Sequence, residues 1–279
     1  MYLQGQNAKA VLIFIPGGEG YLGLKEGQTE VKGQILKTLE RLTDPALTSG
    51  KYDVVFLDSP NELSPRQPYP SARGSMDHLI RIESAIQYYK KRTALPIWLI
   101  GHSNGGISLT EFLKYAQKNN KLDLISGFIA SGIRNESYFN APVPFPILFM
   151  HHQNDGCFHT TPAGALSNFN KVKEYISAPT EFAYITSGQA QASDPCRSGF
   201  HMYNAAGEEA AKVIDDFMSR IYKWKKDLDF SKSFLNFGGT SGGRTHDKRI
   251  KSPLLYQLSY GPITLDIQPK FRTLRSLKV

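Results

Sequence analysis

Short apolar runs that alternate with amphipathic stretches restrict this chain to few folds. The runs are VLIFIPGG (11–18), YDVVFLDSP (52–60), PIWLIGHS (96–103), LISGFIASG (124–132), FPILFMHHQND (145–155) and EFAYITSG (181–188), and each is stopped by Gly, Pro, Asp or Ser. They are apolar at successive positions rather than alternate ones, the pattern of strands buried on both faces. Helical periodicity falls at 29–43, 77–93, 105–119, 161–177 and 204–224. Strands and helices in this order predict a mostly parallel sheet with helices on both faces, a three-layer α/β fold.

The 279 residues, 41% of them hydrophobic, suffice for one domain with a sizeable core. No run approaches the ~18 apolar residues of a membrane span. The opening MYLQGQNAKA lacks the basic start of a signal peptide, and the first apolar run ends in Gly-Gly where a cleavage site would be needed. The formal charge of +8 is concentrated at one end: residues 231–279 hold nine Lys/Arg against two Asp/Glu, so residues 1–230 are nearly neutral. We therefore divide the chain into a domain, 1–230, and a basic tail, 231–279, and expect no nucleic-acid partner.

The motif with chemistry in it is Gly101-His102-Ser103-Asn104-Gly105. Alone, G-x-S-x-G is a weak signal; here it follows a strand pattern and opens a helix pattern, the setting of a nucleophile elbow. Gly101 and Gly105 remove side chains that would collide with the strand or the helix. The serine then points into the crevice at the carboxyl ends of the strands, and the helix N-terminus favours negative charge there.

LIGHSNGG in this strand–helix order resembles the α/β-hydrolase family over about residues 11–225. The resemblance implies a triad running Ser, acid, His along the chain. It matches Ser103 as nucleophile, Asp155 at the end of PILFMHHQND as acid, and His201 in CRSGFHMYN as base. It also nominates FIPGGEG as the oxyanion loop, with the N–H groups of Gly18 and Asn104 as donors. The activity implied is hydrolysis of a small carboxylic ester (EC 3.1.1) through an acyl-Ser103 intermediate, with no metal or organic cofactor. The short stretch 133–146 leaves no room for a large cap. The loop 59–75, with Tyr69 and Arg73, is expected at the surface, lining the substrate side. The oligomeric state is not legible.

Blander readings exist for each residue. Ser103 could be a turn serine, His201 a packed surface histidine, and Asp155 a cap for the helix near Thr161, with Asp194 as the rival acid. His102 reads as structural. His151, His152 and His159 crowd near Asp155 without the spacing of helical metal ligands. Gly17-Gly18 lacks the Gly-Lys-Ser/Thr of a phosphate loop. A catalytically inactive hydrolase-fold binding protein, or the product of a damaged gene, is the alternative to an enzyme.

Given the triad, the loops carrying Asp155 and His201 must meet. Cys157 and Cys196 flank them, so a disulfide between the two is expected. Such a bridge suits an oxidising compartment, which points to a periplasmic or secreted parent protein with a truncated start. Within the tail, RTHDKRIKSPLLYQLSY (244–260) resembles the antisense translation of a lysine transfer-RNA gene. Allowed codons for Arg-Thr, Ile-Lys and Tyr-Gln-Leu-Ser-Tyr supply, on the complementary strand, a T-arm, a TTT anticodon and a D-arm in the right order. The reading frame would then run on into a neighbouring gene, and the tail would be disordered or loose coil.

Overall fold

The structure, a computed structural model, describes residues 1–28, 30–59, 71–140, 142–174, 176–190 and 194–236. The chain divides into two units, Met1–Leu228 and Asp229–Val279. The tail residues from 237 on, including 244–260, and Tyr69 lie outside the described residues.

The first unit is built on a seven-stranded sheet: β1 (Tyr2–Leu3), β2 (Ala10–Ile15), β3 (Tyr52–Phe56), β4 (Ile97–His102), β5 (Gly127–Ser131), β6 (Ile147–His152) and β7 (Thr180–Ile185). Their spatial order is β1-β3-β2-β4-β5-β6-β7. All neighbours are parallel except β1, which runs antiparallel to β3 with Tyr2 opposite Val55. Six of these strands fall within the apolar runs of the sequence or one residue outside them. β1 has no sequence pattern of its own; it is held by Asp53, whose carboxylate accepts from the Tyr2 hydroxyl at 2.7 Å and the Gly5 N–H at 2.9 Å.

The helices are α1 (Gln34–Glu40), α2 (Pro45–Thr48), α3 (Met76–Thr93), α4 (Gly105–Lys118), α5 (Pro162–Lys173) and α6 (Gly207–Asn236). The period-2 geometry of a strand explains how uniformly apolar runs serve two layers. In β2, Ala10, Leu12 and Phe14 face one core with α1 and α6 residues Ile35, Leu39, Ile214 and Phe217. Val11, Ile13 and Ile15 face the other, with Ile82, Ile86, Phe112 and Val172 of α3, α4 and α5. Each such fully buried side chain contributes roughly 1.5–3 kcal/mol of transfer free energy.

Helix ends follow local chemistry. Ser75 caps α3 through the His78 N–H, and Thr161 caps α5 through the Gly164 N–H at 3.0 Å, with Pro162 in the first turn. Asp155 therefore does not cap α5. The helix expected over 29–43 is shorter, α1 giving way to a 3-10 turn at Arg41–Thr43. The helix expected over 204–224 begins at Gly207 and continues to Asn236. Among the described residues, no helix or strand interrupts 132–146.

Candidate active site

Ser103 lies between β4 and α4. Its φ is +54°, a left-handed value that costs a non-glycine residue energy and marks a tight turn. The turn is fixed by the Ser103 N–H donating to the Ser131 carbonyl at 3.1 Å and the Gly106 N–H to the Ser103 carbonyl at 2.9 Å. No side chain fits two residues to either side of it. A Cβ on Gly105 would run into the Ile15 carbonyl oxygen, and one on Gly101 into that of Gly105. Gly17 packs on the serine itself: a Cβ there would lie 2.8 Å from Ser103 Cβ and 3.4 Å from its Oγ.

Asp155 follows β6 in a turn closed by its N–H on the His152 carbonyl at 3.1 Å. His201 follows β7, in a series of turns just before α6. The two side chains meet: His201 Nδ1 donates to Asp155 Oδ2 at 2.8 Å. The same oxygen accepts from His151 Nε2 and from Thr160 Oγ1, both at 3.1 Å, and Oδ1 accepts from the Cys157 N–H at 2.9 Å. Burial by itself would raise the Asp155 carboxyl. The hydrogen bonds from His151, His201 and Cys157 outweigh it and hold the group well below the usual carboxylate range, so it is an anion. Asp194, the rival acid, is exposed and spends its carboxylate on the Cys196 N–H.

His201 Nε2 is buried and has no hydrogen-bond partner among the described residues. Ser103 Oγ does not bond to it. The His201 ring lies beside that of His102, the residue before the serine, with centroids 4.8 Å apart and planes tilted by 36°. His102 bonds through Nδ1 to a buried chain of hydroxyls. Tyr203 donates to the Met150 carbonyl, so its oxygen accepts from Ser131, whose oxygen in turn accepts from His102 Nδ1–H. Burial, with the His201 ring beside it, keeps His102 neutral and its pKa well below the usual histidine range.

The proposed oxyanion loop borders the same place. Gly18 has φ +52°, and its carbonyl accepts from Asn104 Nδ2 at 2.9 Å. The Asn104 amide oxygen accepts from Arg134 at 3.1 Å. Cys157 and Cys196 form a disulfide, with Cα atoms 4.5 Å apart, and it ties the Asp155 turn to the His201 loop.

One expectation needs revision. Arg73 does not line a surface loop; it is 1% exposed, its guanidinium turned inward onto backbone carbonyls. The three crowded histidines go to three different partners: His151 to Asp155, His152 to the Ser187 carbonyl, and His159 to Arg134. The sequence does not mark His151 and Thr160 as supports of the acid. The only available signal was their nearness to Asp155 in sequence. A groove of about 530 Å³, lined among others by Leu22, Leu24, Glu30 and Leu36, is lined by none of Ser103, Asp155 and His201.

The sequence matches no protein-family model and no curated protein. Solved structures match it by shape. A dienelactone hydrolase from Anabaena variabilis has a TM-score of 0.53 at 13% identity, over 78% of this chain and 89% of that one. An esterase structure from Rhizomucor miehei gives 0.53 at 14%, over 78% and 77%. Est1E from Butyrivibrio proteoclasticus, solved with ferulic acid bound, gives 0.51 at 14%, over 79% and 93%. The fold is that of the α/β hydrolases. The Ser103 turn, the Asp155 turn and the His201 loop follow β4, β6 and β7, at one end of the parallel strands.

Proposed function

We propose that the chain is a serine hydrolase that cleaves carboxylic esters through an acyl-Ser103 intermediate. The observation that carries this reading is the His201 imidazole, bonded through Nδ1 to an ionised, buried Asp155 while its Nε2 stays buried and unpartnered beside the serine turn. An Nδ1–H fixed on a carboxylate leaves the Nε2 lone pair as the base. Ser103 gives its proton to that nitrogen and attacks the ester carbonyl. The Gly18 and Asn104 N–H groups hold the developing oxyanion, helped by the N-terminus of α4. His201 then protonates the leaving alcohol, and water repeats the sequence to release the acid. Esterases with this fold among the solved structures favour an ester over an amide.

A second reading is an inactive hydrolase-fold binding protein. It is favoured by the missing hydrogen bond between Ser103 Oγ and His201 Nε2. Such contacts often tighten only when substrate is bound. One experiment separates the two: intact mass after treatment with a fluorophosphonate, beside a Ser103→Ala control. A single adduct that disappears in the control supports the hydrolase. A folded protein without adduct leaves the binding reading in its place.

A further inference from the structure

We infer that Arg73 is a positioning residue that aims the oxyanion loop at Ser103; the inference rests on the serine-hydrolase reading above. Arg73 sits in the 3-10 turn Ser71–Gly74 that leads into α3, and its guanidinium reaches the loop from behind. Nη1 donates to the Pro16 carbonyl at 2.8 Å, and Nη2 to those of Gly17 at 3.2 Å and Gly18 at 3.0 Å. The guanidinium is anchored in turn by Ser108 of α4, whose Oγ accepts from Nη1 at 3.1 Å. That hydroxyl keeps its own hydrogen for His78 Nε2, 2.8 Å away. His78 is buried and neutral, so its nitrogen can accept.

In a trans peptide the C=O and N–H of one unit point in opposite directions. The Gly17 carbonyl and the Gly18 N–H belong to one unit. When Arg73 draws that carbonyl to itself, the Gly18 N–H is turned to the opposite side. Gly17 packs directly on Ser103, so this unit borders the nucleophile. The Pro16 and Gly18 carbonyls are captured likewise, which turns the Gly17 and Glu19 N–H groups the same way. Asn104 adds a second hold on the Gly18 carbonyl. Lysine could not replace this clamp, because its ammonium is a compact point charge without the planar fork that spans several carbonyls.

The test compares Arg73→Lys, Arg73→Ala and wild type in p-nitrophenyl acetate hydrolysis and fluorophosphonate labelling. Arg73→Lys should lose about 100-fold in kcat, the effect of misplacing one oxyanion donor, while KM stays within about threefold. Methylguanidinium should restore part of the kcat of Arg73→Ala and leave wild type unchanged. A wild-type kcat in Arg73→Lys, or a loss confined to KM, would overturn the inference. Should both Arg73 variants fail to fold, Ser108→Ala decides, because it frees one anchor and leaves the arginine in place: a kcat-only loss supports the clamp and an unchanged kcat overturns it. Wild type that takes no label removes the hydrolase reading and this inference together. Labelled wild type with an indifferent Arg73→Lys removes the inference alone.

Discussion

His201 and Asp155 stand 46 residues apart in the chain and 2.8 Å apart in the fold, Nδ1 to Oδ2. This contact sets both the tautomer and the orientation of the base. Asp155→Asn can accept at that position but carries no charge to stabilise the imidazolium, and its amide can enforce the wrong tautomer. We expect kcat for an activated ester to fall about 10⁴-fold with the far-ultraviolet spectrum unchanged. A loss under tenfold would show that Asp155 is not the acid.

His151 supports the same carboxylate from the end of β6, and its Nε2 also donates to the Thr160 carbonyl at 2.7 Å. His151→Phe removes the donor and keeps the ring volume. Leaving two buried acceptors short of a partner should cost about 1–3 kcal/mol in urea unfolding. His151→Gln, which keeps an N–H, should recover part of it. Equal stabilities of the two variants would refute the account.

The Cys157–Cys196 bridge closes a loop with a sequence separation of 39. In the chain-entropy model a loop of this length contributes at most about 4 kcal/mol. The double variant Cys157→Ala/Cys196→Ala should lower the urea midpoint accordingly and reduce ester turnover, because the acid turn and the base loop lose their covalent tie. A change in neither would make the bridge irrelevant to both.

Gly105 approaches the Ile15 carbonyl so closely that a methyl group has no room. Gly105→Ala must push α4 away from β2 at the serine turn. We expect about 2–3 kcal/mol of destabilisation and a loss of fluorophosphonate labelling, read by intact mass on the folded fraction. Full labelling would mean the elbow tolerates the shift.

Stability should fall on mild acidification through the buried histidines. Burial, then the nearby Arg73 and Arg81, lowers His78 from 6.5 to about 4. Between these values the unfolded chain binds the proton and the folded one does not. Stability from this group is therefore full above pH 6.5, falls as pH drops towards 4, and is constant below that. The loss is on the order of 3 kcal/mol. His78→Gln should flatten the pH dependence of the urea midpoint between pH 4 and 6.5. An unchanged slope would assign the acid sensitivity elsewhere, His102 and His152 being held neutral as well.

Much of the sheet was legible because a strand buried on both faces is apolar at nearly every position, as β2 is throughout and β4 and β6 are up to the histidines that end them. β1 was not legible: two residues carry no period, and only the Asp53 carboxylate, supplied from another strand, makes Tyr2–Leu3 a strand. Arg73 departs from its expected surface place for a related reason. A Pro- and Ser-rich context marks a surface loop, and nothing local reveals that three carbonyls from 55 to 57 residues upstream will accept the guanidinium.

The sequence by itself determined the strand–helix alternation and the Gly101–Gly105 turn. It also fixed the order in which a serine, an aspartate and a histidine arrive at strand ends. These are local matters of side-chain volume, periodicity and backbone freedom. Tertiary structure alone decided that His151 and Thr160 join His201 on the Asp155 carboxylate, and that Arg73 turns inward. Hydrogen bonds between distant segments depend on how the sheet twists and where the loops land, and no short-range pattern encodes that.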